Sequence, residues 1–197
     1  MSDQKVSLLL LRSKPIGGAQ KIAEISSGLK QAKQAEFKEI ILTYSSELNV
    51  LYGYFYFESP LENARIDTHT FLGETASLLA EIELSRIMFA NPIKGFSSDQ
   101  VPHNRYVVEM DPEVGWEEEL FSWYDQEHLP GLASVPGCVS ATRCLNLDHA
   151  PYSFSFYDLI SPEVLGCEPW LKVRHTPWSD RVRPHFTNTR RAMFQFL

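Results

Sequence analysis

Long apolar runs are missing from this sequence. No stretch of its 197 residues approaches the roughly 20 apolar positions needed to cross a bilayer, and the longest N-terminal run, Val6 to Leu11, contains a serine and stops at Arg12. That run is too short and wrongly flanked for a signal peptide, so the expectation is a cytoplasmic protein without a membrane partner. Positive charge is scarce as well. With 18 basic against 25 acidic side chains the net charge is −7, which argues against a nucleic-acid partner, because binding a polyanion relies on clustered Lys and Arg. Cysteine is limited to Cys138, Cys144 and Cys167, an odd number that suits a reducing compartment better than a disulfide framework. The six histidines show no His-x-x-x-His or His-Glu-x-x-His pairing, and Cys-x-x-Cys, a P-loop, Gly-x-Gly-x-x-Gly and Gly-x-Ser-x-Gly are all lacking. No metal or cofactor is therefore expected from motifs. What the chain does have is 44% hydrophobic and 12% aromatic residues with ordinary Gly and Pro content, the composition of a folded protein.

The order of elements predicts two halves, 1–100 and 101–197. In the first, Lys5 to Arg12 reads as a strand closed by the turn-prone Lys14-Pro15-Ile16-Gly17-Gly18, and Ala19 to Lys33 has apolar positions at helical spacing. Phe37 to Tyr44 and Asn49 to Phe57 read as a hairpin. Leu72, Ala76, Leu79, Ile82 and Phe89 then recur at steps of three, four and seven, which predicts a helix over 70–89, with a last short strand near Pro92 to Phe96. The second half repeats the grammar. Arg105 to Asp111 is a strand, Glu113 to His128 an acidic helix ended by Leu129-Pro130-Gly131, and Cys138 to Leu145 and Ser153 to Ile160 two further strands after a Val135-Pro136-Gly137 turn. Ser161-Pro162-Glu163 starts a helix, a short one follows over Pro177 to Arg183, and Thr187 to Leu197 is the final strand. This is α+β grammar: two tandem ferredoxin-like β-α-β-β-α-β units, each an antiparallel sheet with helices on one face. The other sheet face, crowded with aromatics, calls for cover, so the two sheets are expected to pack together as a barrel, within an intramolecular pseudo-dimer or a homodimer.

The phrase Trp123-Tyr124-Asp125-Gln126-Glu127-His128-Leu129-Pro130, followed by Val135-Pro136-Gly137 and Ala141-Thr142-Arg143, resembles the dimeric α+β barrel superfamily, and within it the EthD-like proteins. Phe156-Tyr157-Asp158-Leu159 and Arg190-Arg191 are similar to that family's third and last strands. The resemblance covers the C-terminal half; the helix Ala19 to Lys33 has no matching Trp-Tyr or His. It implies small-molecule chemistry of several kinds, including monooxygenases, isomerases, cyclases, dehydratases and haem-degrading enzymes, and fold kinship does not choose among them.

Tyr124 and His128 lie four apart, on one helix face, where an imidazole and a phenol can serve as acid-base group and hydrogen-bond donor to a keto or phenolic compound. The bland alternative is that His128 caps the helix C-terminus. Arg143, on an apolar strand face with Val139, Ala141 and Leu145, would anchor a substrate acid group or else pair with one of the eight carboxylates between Glu109 and Glu127. Trp123, Tyr157 and Trp178 complete the candidate substrate contacts, and Trp170, His175 and His185 share the aromatic stretch around Trp178. Between Lys172 and Arg191 stand six bases (Lys172, Arg174, Arg181, Arg183, Arg190, Arg191) and one acid, Asp180, for which pairing with the acidic helix is the simple explanation. The expected activity is binding of a small aromatic, keto or polyketide-like compound, with cofactor-independent proton transfer or oxygenation if the protein is an enzyme. Haem, which the superfamily admits, would have His128 as its one candidate ligand. The alternative is a non-catalytic stress-type or scaffold protein whose barrel serves self-association.

Overall fold

The computed structural model describes residues 5–62, 67–89 and 92–197. The chain forms two compact units: Met1–Met88 with Leu147–His149 and Phe194–Leu197, and Phe89–Asn146 with Ala150–Met193.

In the first unit β1 (Lys5–Pro15) leads through a short 3-10 turn into α1 (Ile22–Lys33), whose Ile22, Ile25 and Leu29 are buried at steps of three and four. β2 (Glu39–Ser45) and β3 (Val50–Glu62) form the hairpin, closed where Ser45 faces Val50 and Tyr44 Oη donates to Asn49 Oδ1 at 2.9 Å. α2 (Thr68–Leu72) follows, its start capped by Asp67, which accepts from the Thr70 amide. Helix does not extend to residue 89. After a 3-10 turn the chain runs as β4 (Leu79–Phe89), antiparallel to β1. The false helical period has a local cause. Glu81 adopts φ +50° and the pairing slips between Arg12 and Lys14, so one extra residue sits in β4 between Ala80 and Glu83. This bulge puts Leu79 and Ile82 three apart on the core side, where Ile82 and Leu84 then resume alternation of two. The strands lie in the order β4-β1-β3-β2, the ferredoxin-like arrangement, over a core of Leu9, Leu11, Ile25, Leu42, Leu51, Phe55 and Phe71.

The expected strand at 92–96 contracts to β5 (Ile93–Lys94), which does not close the first unit. It pairs with β7 (Cys138–Asn146), Ile93 facing Ala141. In the second unit β6 (Asn104–Pro112) precedes α3 (Glu117–Trp123), a π-helical turn over Tyr124–His128, and α4 (Leu129–Ala133). Helix therefore passes Pro130 rather than ending before it. The Leu129 amide bonds the Tyr124 carbonyl five residues back, and this wider turn places Pro130 in the first turn of a new helical segment, where its missing N–H costs nothing. The chain continues through Gly137, at φ +95°, into β7, β8 (Ser153–Leu159), α5 (Glu168–Arg174), α6 (Pro177–Val182) and β9 (Phe186–Phe196). Ser161-Pro162-Glu163 opens only a 3-10 turn; the α-helix begins six residues later. Strand order is β9-β6-β8-β7-β5, again ferredoxin-like with one added edge strand. The end of β9 belongs to the first unit, with Phe196 opposite Thr43 of β2.

A second bulge, between Cys138 and Ser140 in β7, puts Cys138 and Cys144 on different faces of the strand, although their even spacing along a regular strand would place them on one. Cys138 joins Ala141 in the helix-side core, whereas Cys144 pairs with Phe154 outside that core. Burial holds both thiols high, Cys138 at about 12, so neither is an activated nucleophile.

Candidate functional site

Between the helices and the sheet of the second unit lies a cleft of about 440 Å³, counting its open mouth. Its formation follows from the π-helical turn. That turn carries Tyr124 and His128 to the same side as Trp123, and all three face the cleft. The Trp123 indole Nε1 donates to Glu127 Oε1 and Ser179 Oγ, each at 3.2 Å, and Glu127 also accepts from the Thr176 hydroxyl at the start of α6. His128 stacks on the fixed indole at 4.1 Å and meets Tyr124 and Tyr157 edge-on at 5.6 and 6.3 Å. Glu127, a poor partner for His128 by helical angle, thus positions the tryptophan that holds it.

The sheet contributes Tyr106, Val108 and Tyr157, and Trp170 closes over them edge-on to both tyrosines. The Tyr157 hydroxyl is buried and makes no hydrogen bond; the nearby Ser155 hydroxyl is engaged by the Val108 carbonyl at 3.3 Å. His128 Nδ1 is likewise buried without a partner, which leaves Nε2 as the nitrogen a ligand can reach.

Electrostatics set the protonation states. Burial, with the charges of Arg183 and Arg174, pushes His128 down to about 3, so the ring is a neutral imidazole at physiological pH. Burial raises Tyr124 to about 12 and Tyr157 well above the ordinary phenol value, so both are protonated. The expectation of a histidine exchanging its proton near neutrality is corrected for the unliganded protein. The helix-cap reading of His128 is corrected too: the helix continues through α4, and the His128 side chain caps nothing.

Four of the six candidate residues, His128, Tyr124, Trp123 and Tyr157, line this cleft, and two do not. Arg143 forms a bidentate pair with Asp125, 3.0 Å from Nη2 to each carboxylate oxygen, and lies 4.4 Å from the Phe121 ring centre. Its charge is satisfied internally, as a buried arginine requires. Trp178 instead donates to Glu119 at 2.9 Å. The basic tail divides. Arg181 pairs with Glu119, Lys172 with Glu168 at 2.9 Å and Arg190 with Glu109 at 3.6 Å, whereas Arg174, Arg183 and Arg191 line the cleft. Sequence reasoning missed these three, along with Tyr106 and Phe186. The charge imbalance of 172–191 was the available signal, but nothing in the sequence separates a paired arginine from a converging one.

Among the described residues no three His, Cys, Asp or Glu side chains gather into a metal site, and no helix is long and apolar enough to cross a membrane.

The sequence matches no protein-family model and no curated protein. Solved structures do match along the whole chain. An anthrone oxidase-like protein is 13% identical with TM-score 0.64, covering 100% of this chain and 92% of its own. A putative monooxygenase from Fusobacterium nucleatum is 10% identical with TM-score 0.62, covering 98% and 93%. A heme-degrading enzyme from Listeria monocytogenes is 8% identical with TM-score 0.55, covering 95% and 98%. Such identities speak for fold. The chain has a ferredoxin-like α+β fold, which it shares with proteins described as a putative monooxygenase and as anthrone oxidase-like.

The haem that this fold admits can be tested against the residues. An axial histidine ordinarily donates its second ring N–H to a carboxylate, carbonyl or water, which fixes the ring and raises its basicity. His128 Nδ1 has no protein partner, and Trp123, Tyr124 and Tyr157 stand within ring contact of the imidazole. The residues do not fit a haem ligand set.

Proposed function

We propose that the second unit binds a small aromatic or keto compound of polyketide-like character and acts on it by cofactor-independent proton transfer, as an EthD-like member of the superfamily. The observation that carries this reading is the meeting of a neutral, internally unpartnered imidazole with two protonated tyrosines in one aromatic-walled cleft. A neutral imidazole is a proton acceptor. His128 Nε2 takes the proton from a carbon acid or phenol, and Tyr124 donates a hydrogen bond to the oxygen on which negative charge develops. The unliganded ring is a weak base because it is buried and, to a lesser degree, because it faces arginine charge. An enolate or phenolate offsets that charge, so the imidazolium becomes affordable as the substrate anion forms. The anion so produced can reprotonate elsewhere, which is isomerisation, or go on to react with oxygen. The oxygenase and oxidase names among the structural neighbours support the second course.

Anthrone, a tricyclic ketone with an acidic ring methylene, is the direct probe. Wild-type protein in heavy water is expected to exchange the methylene hydrogens, with His128→Gln slower by about 100-fold or more and Tyr124→Phe by a smaller factor, the range usual for a positioned acid or base. Oxygen uptake in the same samples separates exchange alone from oxidation. Absence of both, with no binding of anthrone by calorimetry, overturns the reading. A haemin complex whose visible spectrum changes in His128→Ala overturns the argument against haem.

A further inference from the structure

We infer that the compound admitted to this cleft is an organic acid carrying two negative charges on or beside its aromatic body, held by Arg174, Arg183 and Arg191. The inference rests on the pocket reading above and specifies the ligand's charge.

Three guanidinium groups from separate elements reach one cleft: Arg174 from the end of α5, Arg183 from the turn after α6, and Arg191 from β9. Every other described arginine has a carboxylate within 4 Å: Arg12 with Glu83, Arg86 with Asp148, Arg105 with Asp158, Arg143 with Asp125, Arg181 with Glu119 and Arg190 with Glu109. Arg174, Arg183 and Arg191 have no ion pair among the described residues, and no carboxylate lines the cleft. Carboxylates are not in short supply, since acidic side chains outnumber basic ones 25 to 18. The protein instead leaves these three cations facing one another. Burial, then Arg174 and Arg191, pulls Arg183 below the usual guanidinium range, and the opposing effect of Asp180 is the weakest of those acting on it. Asp180 itself lies 4.0 Å from His175.

Like charges brought together at the mouth of a low-dielectric cleft repel, and an anion relieves that repulsion while meeting the planar donor forks of the guanidiniums. A second feature inside the cleft points to an acceptor. Tyr157 is 1% exposed, and its buried hydroxyl has no hydrogen-bond partner. One negative charge would leave two of three cations uncompensated, which favours a dianion. Tyr106, Trp123, Trp170 and Phe186 supply flat apolar walls for its ring system.

Calorimetric titration of the full chain with four naphthalene probes tests this: naphthalene-2,3-dicarboxylate, 1-naphthyl phosphate, 2-naphthoate and 2-naphthol. The first carries two charges on two carboxylates, the second two on a single phosphate, the third one and the fourth none. A dianion is expected to bind at least tenfold tighter than 2-naphthoate, with the gap shrinking between low and high salt; whichever dianion leads identifies carboxylate or phosphate as the acid. Arg183→Gln should weaken the dianion at least tenfold and leave 2-naphthol within twofold. Arg174→Gln with Arg191→Gln, at exposed positions, should do the same without threatening the fold, and Arg190→Gln, whose residue is paired elsewhere, should not. If 2-naphthol binds as tightly as the dianions, or the arginine substitutions leave their affinity unchanged, the inference fails while the pocket reading stands. Loss of all four probes overturns both.

Discussion

His128 shows how one side chain's chemistry is decided by its surroundings. In the open chain its imidazole titrates near 6.5, and in the folded unit it is pushed down to about 3 by burial and by Arg183 and Arg174. A base with a depressed folded pKa binds protons first in the unfolded chain, so its stabilising contribution is complete above 6.5 and is lost as pH falls from there toward 3. Urea unfolding at pH 7 and pH 5 should therefore show a larger drop in midpoint for wild type than for His128→Gln. A dianion bound at the arginines should narrow that difference by neutralising the charges that depress the ring. Arg143 makes the complementary point. On its strand it looks like an anion anchor, but the bidentate contact with Asp125 occupies its donors. The anchoring role passes to arginines that lack such a partner.

At the scale of elements, two bulges and one π-helical turn set the geometry that regular periodicity does not describe. The bulge at Glu81 gives β4 a helical spacing, the one at Cys138 and Ser140 reverses the facing of Cys138, and the π-helical turn carries the helix past Pro130 while turning Tyr124 and His128 into the cleft. The Val135-Pro136-Gly137 turn fixes where β7 starts. Gly137 sits at φ +95°, and a Cβ there would lie 2.4 Å from Val164 Cγ2, so side chains are excluded both by backbone conformation and by space. Gly137→Ala should destabilise by about 1–3 kcal/mol, seen as a lower urea midpoint with an unchanged slope. α6 is tied to the cleft through Thr176, Glu127 and Trp123, which explains how a helix that supplies none of the candidate proton-transfer groups still positions them.

At the scale of the whole molecule, the last strand is divided, with Phe186 to Met193 in one unit and Phe194 to Leu197 in the other. Phe194 is 2% exposed and stacks on Tyr52 at 4.6 Å between ring centres, and Phe196 faces Thr43. Phe194→Ala should cost the first unit about 3–4 kcal/mol by the usual cavity penalty. Hydrogen exchange in β2 and β3 should rise accordingly. The order of strands and most helices was legible because element order and turn residues are local properties. The last element of the first half was not, since a single extra residue in β4 imitates a helical period. Of the cleft, Trp123, Tyr124, His128 and Tyr157 were legible as candidates because a helical spacing and a resemblance to EthD-like sequences bring them forward. Arg174, Arg183 and Arg191 were not, because their convergence depends on α5, the turn after α6 and β9 arriving at one place.

Taken by itself, then, the sequence determined the α+β character, the repeated β-α-β-β-α-β order and the candidate imidazole and phenols, all of which follow from spacing, turn chemistry and residue type along the chain. Only the tertiary structure decided that His128 is neutral, that Arg143 is occupied and that three other arginines stand without carboxylates. Protonation and pairing depend on which groups come within a few ångströms of one another and how much water lies between them, and that information is absent from linear spacing.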